Sequence, residues 1–364
     1  MCSEHVGPAC PAALEPSPRR CGAPPRPAVG APPADAAGAP PADAAGAPPA
    51  DAAAPLLALV LAACAPANRA DASAPPAAAS AGAGPSAGAP ADADASSGRL
   101  QWRGGPTAIL ERDGLRLLTD PVLGPRGPAA FALPKHPSTG VENAPVARYT
   151  DPPAEPLGRL DVILLSHNHA DHFDAVARET LPKDVTFVLP PDAADAARAA
   201  GFTRLTPLDW DGETVIPTRA GRLRILAVPA NHSHDAALDA TLGKGNGYVL
   251  RWEGATPYSI YWTGDSVFTE PMRAVAARFA PIDLWLPHLG AVGVDGARGL
   301  RTMDAEEAVA AAALLRPRHV IPIHHTTFGH YREPVTAFVQ RAATKRLPAH
   351  IHVPTDGAWM PLPR

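Results

Sequence analysis

The sequence predicts a mixed α/β domain behind a long low-complexity region, and three observations carry that prediction. Every Phe, Trp and Tyr lies beyond Leu100. Apolar runs of strand length recur between residues 107 and 323, and two helical segments with recognisable caps alternate with them after residue 172.

Of the 364 residues, 1–98 contain no Phe, Trp, Tyr or Ile and are dominated by Ala, Pro, Gly, Ser and Asp. Without large apolar side chains a segment cannot bury enough surface to offset its conformational entropy, so disorder is expected there. The octet Gly-Ala-Pro-Pro-Ala-Asp-Ala-Ala recurs at Gly30, Gly38 and Gly46. A Pro-rich period of that length matches no solenoid repeat and reads as a linker. Residues 99–364 are long enough for one domain with a well-buried core.

Strands are expected at 107–111 and 115–119, joined by a hairpin turn at Asp113-Gly114. Residues 122–157, rich in Pro and Gly, read as a long loop rimming a site. A strand at 161–165 follows, then a helix over 175–181 capped by Asp174. Short strands are expected at 186–189, 223–228, 247–252 and 259–262. Asp304 and Glu307 form a capping-box-like start to a helix over 305–315 that stops at Arg316-Pro317, and a strand over 319–323 delivers His324.

Strand 161–165 runs directly into Ser166-His167-Asn168-His169-Ala170-Asp171-His172. Imidazole nitrogen and carboxylate oxygen are ligands that Zn²⁺ and similar divalent ions prefer. Residues i and i+2 of an extended segment point the same way, so His167 and His169 can hold one ion together. The chain then turns, leaving Asp171 and His172 free to face a second. Ligand-type residues stand just after strands in four more segments: Pro229-Ala230-Asn231-His232, Thr263-Gly264-Asp265-Ser266, Pro287-His288-Leu289-Gly290 and Pro322-Ile323-His324-His325. Singly, each reads as well as an ordinary turn; with the 167–172 cluster they read as a metal site.

These motifs, with Leu118-Thr119-Asp120-Pro121-Val122 and Met303-Asp304-Ala305-Glu306-Glu307-Ala308-Val309, give the chain from about Leu100 onward a resemblance to the metallo-β-lactamase superfamily. The branch it resembles contains N-acylphosphatidylethanolamine-hydrolysing phospholipase D and the L-ascorbate-6-phosphate lactonase-like hydrolases. The resemblance implies a four-layer αββα sandwich with the site at one edge of two sheets. It implies two divalent ions, zinc foremost, with Mn²⁺ or Fe²⁺ as alternatives. His167, His169 and His232 would hold the first and Asp171, His172 and His324 the second, with Asp265 bridging both. One element departs from the branch: where its members carry a Trp-x-Gly-His motif, Trp102-Arg103-Gly104-Gly105 has a glycine. That His is not among the seven implied ligands, so metal binding should survive, while substrate positioning is expected to differ.

Two adjacent cations ionise a bridging water near neutral pH and polarise a scissile carbonyl or phosphoryl oxygen. Asp171 is expected to orient the nucleophile, and His288 and His325 are candidates for protonating the leaving group. Asp120 reads as a turn or supporting carboxylate. The expected function is hydrolysis of an ester-like bond (phosphodiester, phospholipid or lactone) in a small-molecule or lipid substrate. A β-lactamase fits less well, because class B enzymes lack an Asp ligand at the position of Asp265. A non-catalytic metal-binding domain is disfavoured by the complete ligand set. The net charge of −4 gives no basic patch to suggest nucleic acid as a partner.

The four cysteines, Cys2, Cys10, Cys21 and Cys64, all precede the domain, which therefore has neither a disulfide framework nor a thiolate ligand. The run Pro55-Leu56-Leu57-Ala58-Leu59-Val60-Leu61-Ala62-Ala63-Cys64 is too short to span a bilayer but has the length of a signal-peptide core. It resembles the bacterial lipoprotein signal, in which such a Cys is lipidated and becomes the N-terminus. Residues 65–98 would then tether a periplasmic domain to the membrane; a cytoplasmic protein with an accidental match is the alternative.

Overall fold

The computed structural model describes residues 98–133, 142–293 and 299–364. The expected signal at 55–64 and the tether at 65–98 lie outside the described residues, apart from Gly98 at the tether's end.

The chain opens with three antiparallel strands, β1 (Arg99–Trp102), β2 (Ala108–Arg112) and β3 (Leu115–Thr119). The β2–β3 turn falls on Asp113-Gly114, both with positive φ. Next come β4 (Gly127–Phe131), β5 (Val146–Arg148), β6 (Val162–Leu164), α1 (Ala175–Thr180), β7 (Thr186–Leu189), α2 (Ala194–Ala199) and β8 (Leu205–Pro207). The second half runs through β9 (Glu213–Thr218), β10 (Gly221–Ala230), α3 (Ala236–Leu242), β11 (Gly245–Gly254), β12 (Tyr258–Trp262), α4 (Glu270–Phe279) and β13 (Leu284–Leu286). It ends with α5 (Ala305–Leu315), β14 (His319–Val320), α6 (Val335–Thr344), β15 (His350–Ile351) and β16 (Trp359–Pro361).

Two seven-stranded sheets result, ordered β16-β1-β2-β3-β6-β7-β8 and β15-β14-β13-β12-β11-β10-β9. Alternation along each strand explains how they stack. Leu117, Val162 and Leu164 face Ile225, Leu250, Ile260 and Leu284 in a core between the sheets. Their neighbours Leu118, Ile163 and Leu165 point outward, onto Phe173 and Ala177 beside and within α1 and onto Ala194 and Ala197 of α2. On the other side Val249, Tyr261 and Trp285 meet Met272, Ala308, Leu315 and Phe338 of α4, α5 and α6. Because both faces of both sheets are covered, the strands read as continuous apolar runs rather than alternating ones. The architecture is the expected four-layer αββα sandwich.

Three local expectations need correction. The segment 122–157 is not all loop: β4 and β5 pair into an antiparallel arm with an irregular register, a pairing that its Pro-Gly content concealed. The strand expected over 319–323 is regular only at His319–Val320, after which Ile323 makes an isolated bridge with His288. The capping box of α5 is half formed. Asp304 accepts from the Glu307 amide at 2.8 Å, but the Glu307 carboxylate accepts instead from the Phe268 amide and pairs with His234.

Strand direction gathers the candidate residues. Strands β3 and β6 run parallel, while β10 and β12 both lie antiparallel to β11, and β12, β13 and β14 run parallel. The loops after β3, β6, β10, β12, β13 and β14 therefore open at one edge, as ligand sites do at the carboxyl ends of strands in α/β sheets.

Candidate metal centre

His167, His169 and His232 form one group, each offering a ring nitrogen within 4.8 Å of the others. His167 and His169 bring Nε2 and Nδ1 to 2.9 Å, as their i, i+2 spacing after β6 requires. His169 is turned by the Leu242 carbonyl, 2.9 Å from its Nε2, which leaves Nδ1 facing the group. His232 is delivered by the end of β10, where its amide donates to Asp239 at 2.6 Å, and neither of its buried ring nitrogens has a hydrogen-bond partner.

The second group centres on Asp265, placed by the turn after β12. Its Oδ1 lies 3.3 Å from His172 Nε2, 3.2 Å from His324 Nε2 and 3.0 Å from His288 Nδ1. Asp171 stands beside it, with Oδ2 3.8 Å from His172 Nε2 and 3.9 Å from His324 Nε2. The Nε2 atoms of His172 and His324 are buried and lack hydrogen-bond alignment with these carboxylates. Buried polar atoms are seldom left in that condition. A divalent ion shared by the imidazole and carboxylate atoms would satisfy them, and the donor set is one that zinc, manganese and iron accept. The residues fit the group the resemblance implies.

Supporting bonds fix the ring orientations. Asp120 Oδ2 lies 2.6 Å from His172 Nδ1 and accepts from Ser166 Oγ at 2.7 Å, while its Oδ1 accepts from the Ser166 amide at 2.7 Å. Ser166 Oγ also lies 2.8 Å from His167 Nδ1, so one buried carboxylate steadies histidines of both groups. His324 Nδ1 faces the Leu289 carbonyl at 3.0 Å, and its amide donates to the Gly105 carbonyl at 2.8 Å. Such outer contacts set tautomer and ligand basicity.

Burial holds the His167 imidazole well below its ordinary value, and the same cause lowers His232 and His324 to about 3. All three stay neutral at pH 7, the form that binds a metal. Burial disfavours charge on His172 too, yet the carboxylates of Asp265, Asp120 and Asp171 outweigh it and raise that group well above the usual imidazole range. Burial likewise opposes ionisation of Asp265, and the His172 charge, with hydrogen bonds from His172 and His288, overcomes it and holds the carboxyl well below the usual range.

The candidates for leaving-group protonation part company. His288 joins the Asp265 group, its ring stacked on His324 at 5.0 Å. His325 turns away. Its Nδ1 faces Thr326 Oγ1 and its Nε2 the Pro322 carbonyl, and its ring packs on Trp102 at 4.7 Å.

Two residues at the site escaped the sequence reading. His330 sets Nε2 3.2 Å from Asp171 Oδ2, with its ring against Phe131 of the arm and Phe328. Tyr331 lies over His324, ring centroids 4.7 Å apart. Neither follows a strand, and the only signal was a His-Tyr pair close behind His324. Gly105, the departure from the branch pattern, has φ +54°, and a Cβ there would meet Phe328 Cε2 at 2.7 Å. The space is already filled.

The chain belongs to the metallo-β-lactamase superfamily: the model of the beta-lactamase superfamily domain matches residues 115–325. A UPF0173 metal-dependent hydrolase of Pyrococcus furiosus is 32% identical over 174 residues, covering 46% of this chain and 68% of that protein. A protein of the same description from Anaeromyxobacter is 33% identical over 183 residues, 48% of this chain and 62% of its own length. The match thus spans about two thirds of these relatives or somewhat less. The fold is shared with the crystal structure of an isothiocyanate hydrolase from Delia radicum gut bacteria. That likeness has a TM-score of 0.60 at 22% identity, over 72% of this chain and 98% of the other.

Proposed function

We propose that this protein is a dinuclear metal-dependent hydrolase of an ester-like bond, a phosphodiester, phospholipid or lactone. The observation that carries the reading is the convergence of buried, unpartnered ring nitrogens of His172, His232 and His324 on one edge that also holds the Asp171 and Asp265 carboxylates. In this reading His167, His169 and His232 hold one ion, Asp171, His172 and His324 the other, and Asp265 is shared. When bound, such a pair supplies a water ionised near neutral pH and polarises the scissile oxygen.

The chain's own residues do the rest. Asp171 would accept a hydrogen bond from the attacking water and aim it, its Oδ2 being positioned by His330 Nε2. Asp265 keeps His288 turned inward through the 3.0 Å contact at Nδ1, which leaves the buried His288 Nε2 without a protein partner. The His330 Nδ1 is likewise buried and unpartnered, so His288 and His330, each with one ring nitrogen on a carboxylate of the centre and the other free of protein partners, are the imidazoles we assign to protonating a leaving oxygen. His325, with both nitrogens engaged elsewhere, is not. Phe131 and the buried Phe328 pack on His330 and hold its ring beside the centre.

The deciding experiment pairs elemental analysis of the purified, zinc-reconstituted protein with a hydrolysis screen. The screen would cover phosphodiesters, N-acylphosphatidylethanolamines, lactones and β-lactams. Two zinc ions per chain with turnover of an ester-like substrate are expected. At most one ion after reconstitution, or turnover of β-lactams alone, would refute the proposal. The address we propose is periplasmic, with a lipid on Cys64.

A further inference from the structure

Tyr331 has a hydroxyl that no structural role accounts for. Its ring is held in a slot between two glycines whose backbones have positive φ. A Cβ at Gly290 would meet Tyr331 Cδ1 at 2.8 Å, and one at Gly105 would lie 3.4 Å from the hydroxyl oxygen. On its other faces the ring meets the imidazoles of His324 and His330, at centroid distances of 4.7 and 4.5 Å. The ring is thus packed against the candidate centre on the Gly290 backbone, a close approach that any larger residue at 290 would block.

The hydroxyl oxygen is enclosed and has no hydrogen-bond partner in the protein. A buried phenol usually finds one. Phe would fill the slot equally well and would leave no polar atom to satisfy, so packing alone does not explain a tyrosine. The Asp171 and Asp265 carboxylates are close enough to influence the phenol after burial itself, and both belong to the centre just described.

We propose that the Tyr331 hydroxyl is a substrate contact, donating a hydrogen bond to an anionic oxygen of the group held at the metal centre. This rests on the dinuclear hydrolase reading for its site but not on any particular scissile bond, since phosphoryl and carboxyl-derived groups both present such an oxygen.

Inorganic phosphate is the probe. Calorimetric titration of the zinc-loaded full-length protein would compare the wild type with Tyr331→Phe, which keeps the ring and the slot. A neutral donor lost to a charged acceptor should weaken phosphate binding by about tenfold to a hundredfold. Zinc content should stay the same, and the thermal midpoint should be unchanged or higher because an unpartnered hydroxyl is removed. Equal phosphate affinity in the two proteins, or none in either, overturns the proposal. So does a variant that loses zinc or melts earlier, which would make the hydroxyl a support for His324. Failure of the hydrolase reading would show separately, in the wild type's own zinc stoichiometry and turnover.

Discussion

Asp120 Oδ2 and His172 Nδ1 lie 2.6 Å apart, both side chains wholly buried. The carboxylate is a supporting group: it sits behind the imidazole, on the side away from Asp265, and also holds the loop through Ser166. Asp265 stands on the other side, among the nitrogens themselves.

That difference predicts unequal losses. In the dinuclear centre proposed above, Asp265→Ala should abolish turnover and loosen both metals, because the carboxylate proposed to be shared by the two ions disappears. Asp120→Ala should weaken metal binding by about tenfold to a hundredfold and leave residual activity, the usual cost of losing a supporting contact. Competition with a chromogenic chelator measures both; equal losses, with full metal retained in Asp265→Ala, would reverse the assignment.

His325 is expected to affect stability rather than chemistry. Burial lowers its value from 6.5 to about 4. As pH falls from about 6.5 toward 4, the unfolded chain gains a proton that the folded protein refuses, so stability due to this group declines across that window. His325→Phe should therefore flatten the pH dependence of unfolding there, relative to wild type, with kcat changed by less than about tenfold. A large fall in kcat with an unchanged stability profile would return His325 to the reaction.

Gly264 sets the direction of Asp265. Its φ is +61°, and a Cβ would come within 2.7 Å of the Asn246 carbonyl oxygen and 2.9 Å of Ser166 Cβ. Backbone cannot yield as a flexible side chain does, so Gly264→Ala should cost about 1–3 kcal/mol in chemical denaturation. Metal affinity should fall with it, since Asp265 and Ser166 are displaced together; an unchanged denaturation midpoint would show the turn to be more adaptable.

Outside the described residues, the proposed lipid on Cys64 gives a fourth expectation. Stable anchoring needs more than one acyl chain. Mass spectrometry of protein from the native host should find a diacylated or triacylated N-terminus at Cys64, with Met1 through Ala63 removed. An intact Met1 chain in the cytoplasmic fraction, unaltered by Cys64→Ser, would sink the idea.

By itself the sequence determined several strand cores, the starts of two of the helices, α1 and α5, and the cluster of ligand-type side chains after β6. Val162 to Leu165 announce a strand buried on both faces, and Asp174 and Asp304 cap α1 and α5 where they were expected. These signals are local, set by side-chain alternation and by short-range bonds to neighbouring amides. Only the tertiary structure decided which of two neighbouring imidazoles enters the site and which side chains close around it. His324 and His325 are adjacent and chemically identical, yet His324 at φ +60° and Thr326 at φ +57° bend the chain so that one ring enters the site and the other lies on Trp102. His330 and Tyr331 follow no strand, and their placement comes from the close approach of Gly290 and from Phe131 on the β4–β5 arm. Those partners are far away in the chain, and such contacts are set by how the sheets and arm pack, a long-range outcome that no window of neighbouring residues encodes.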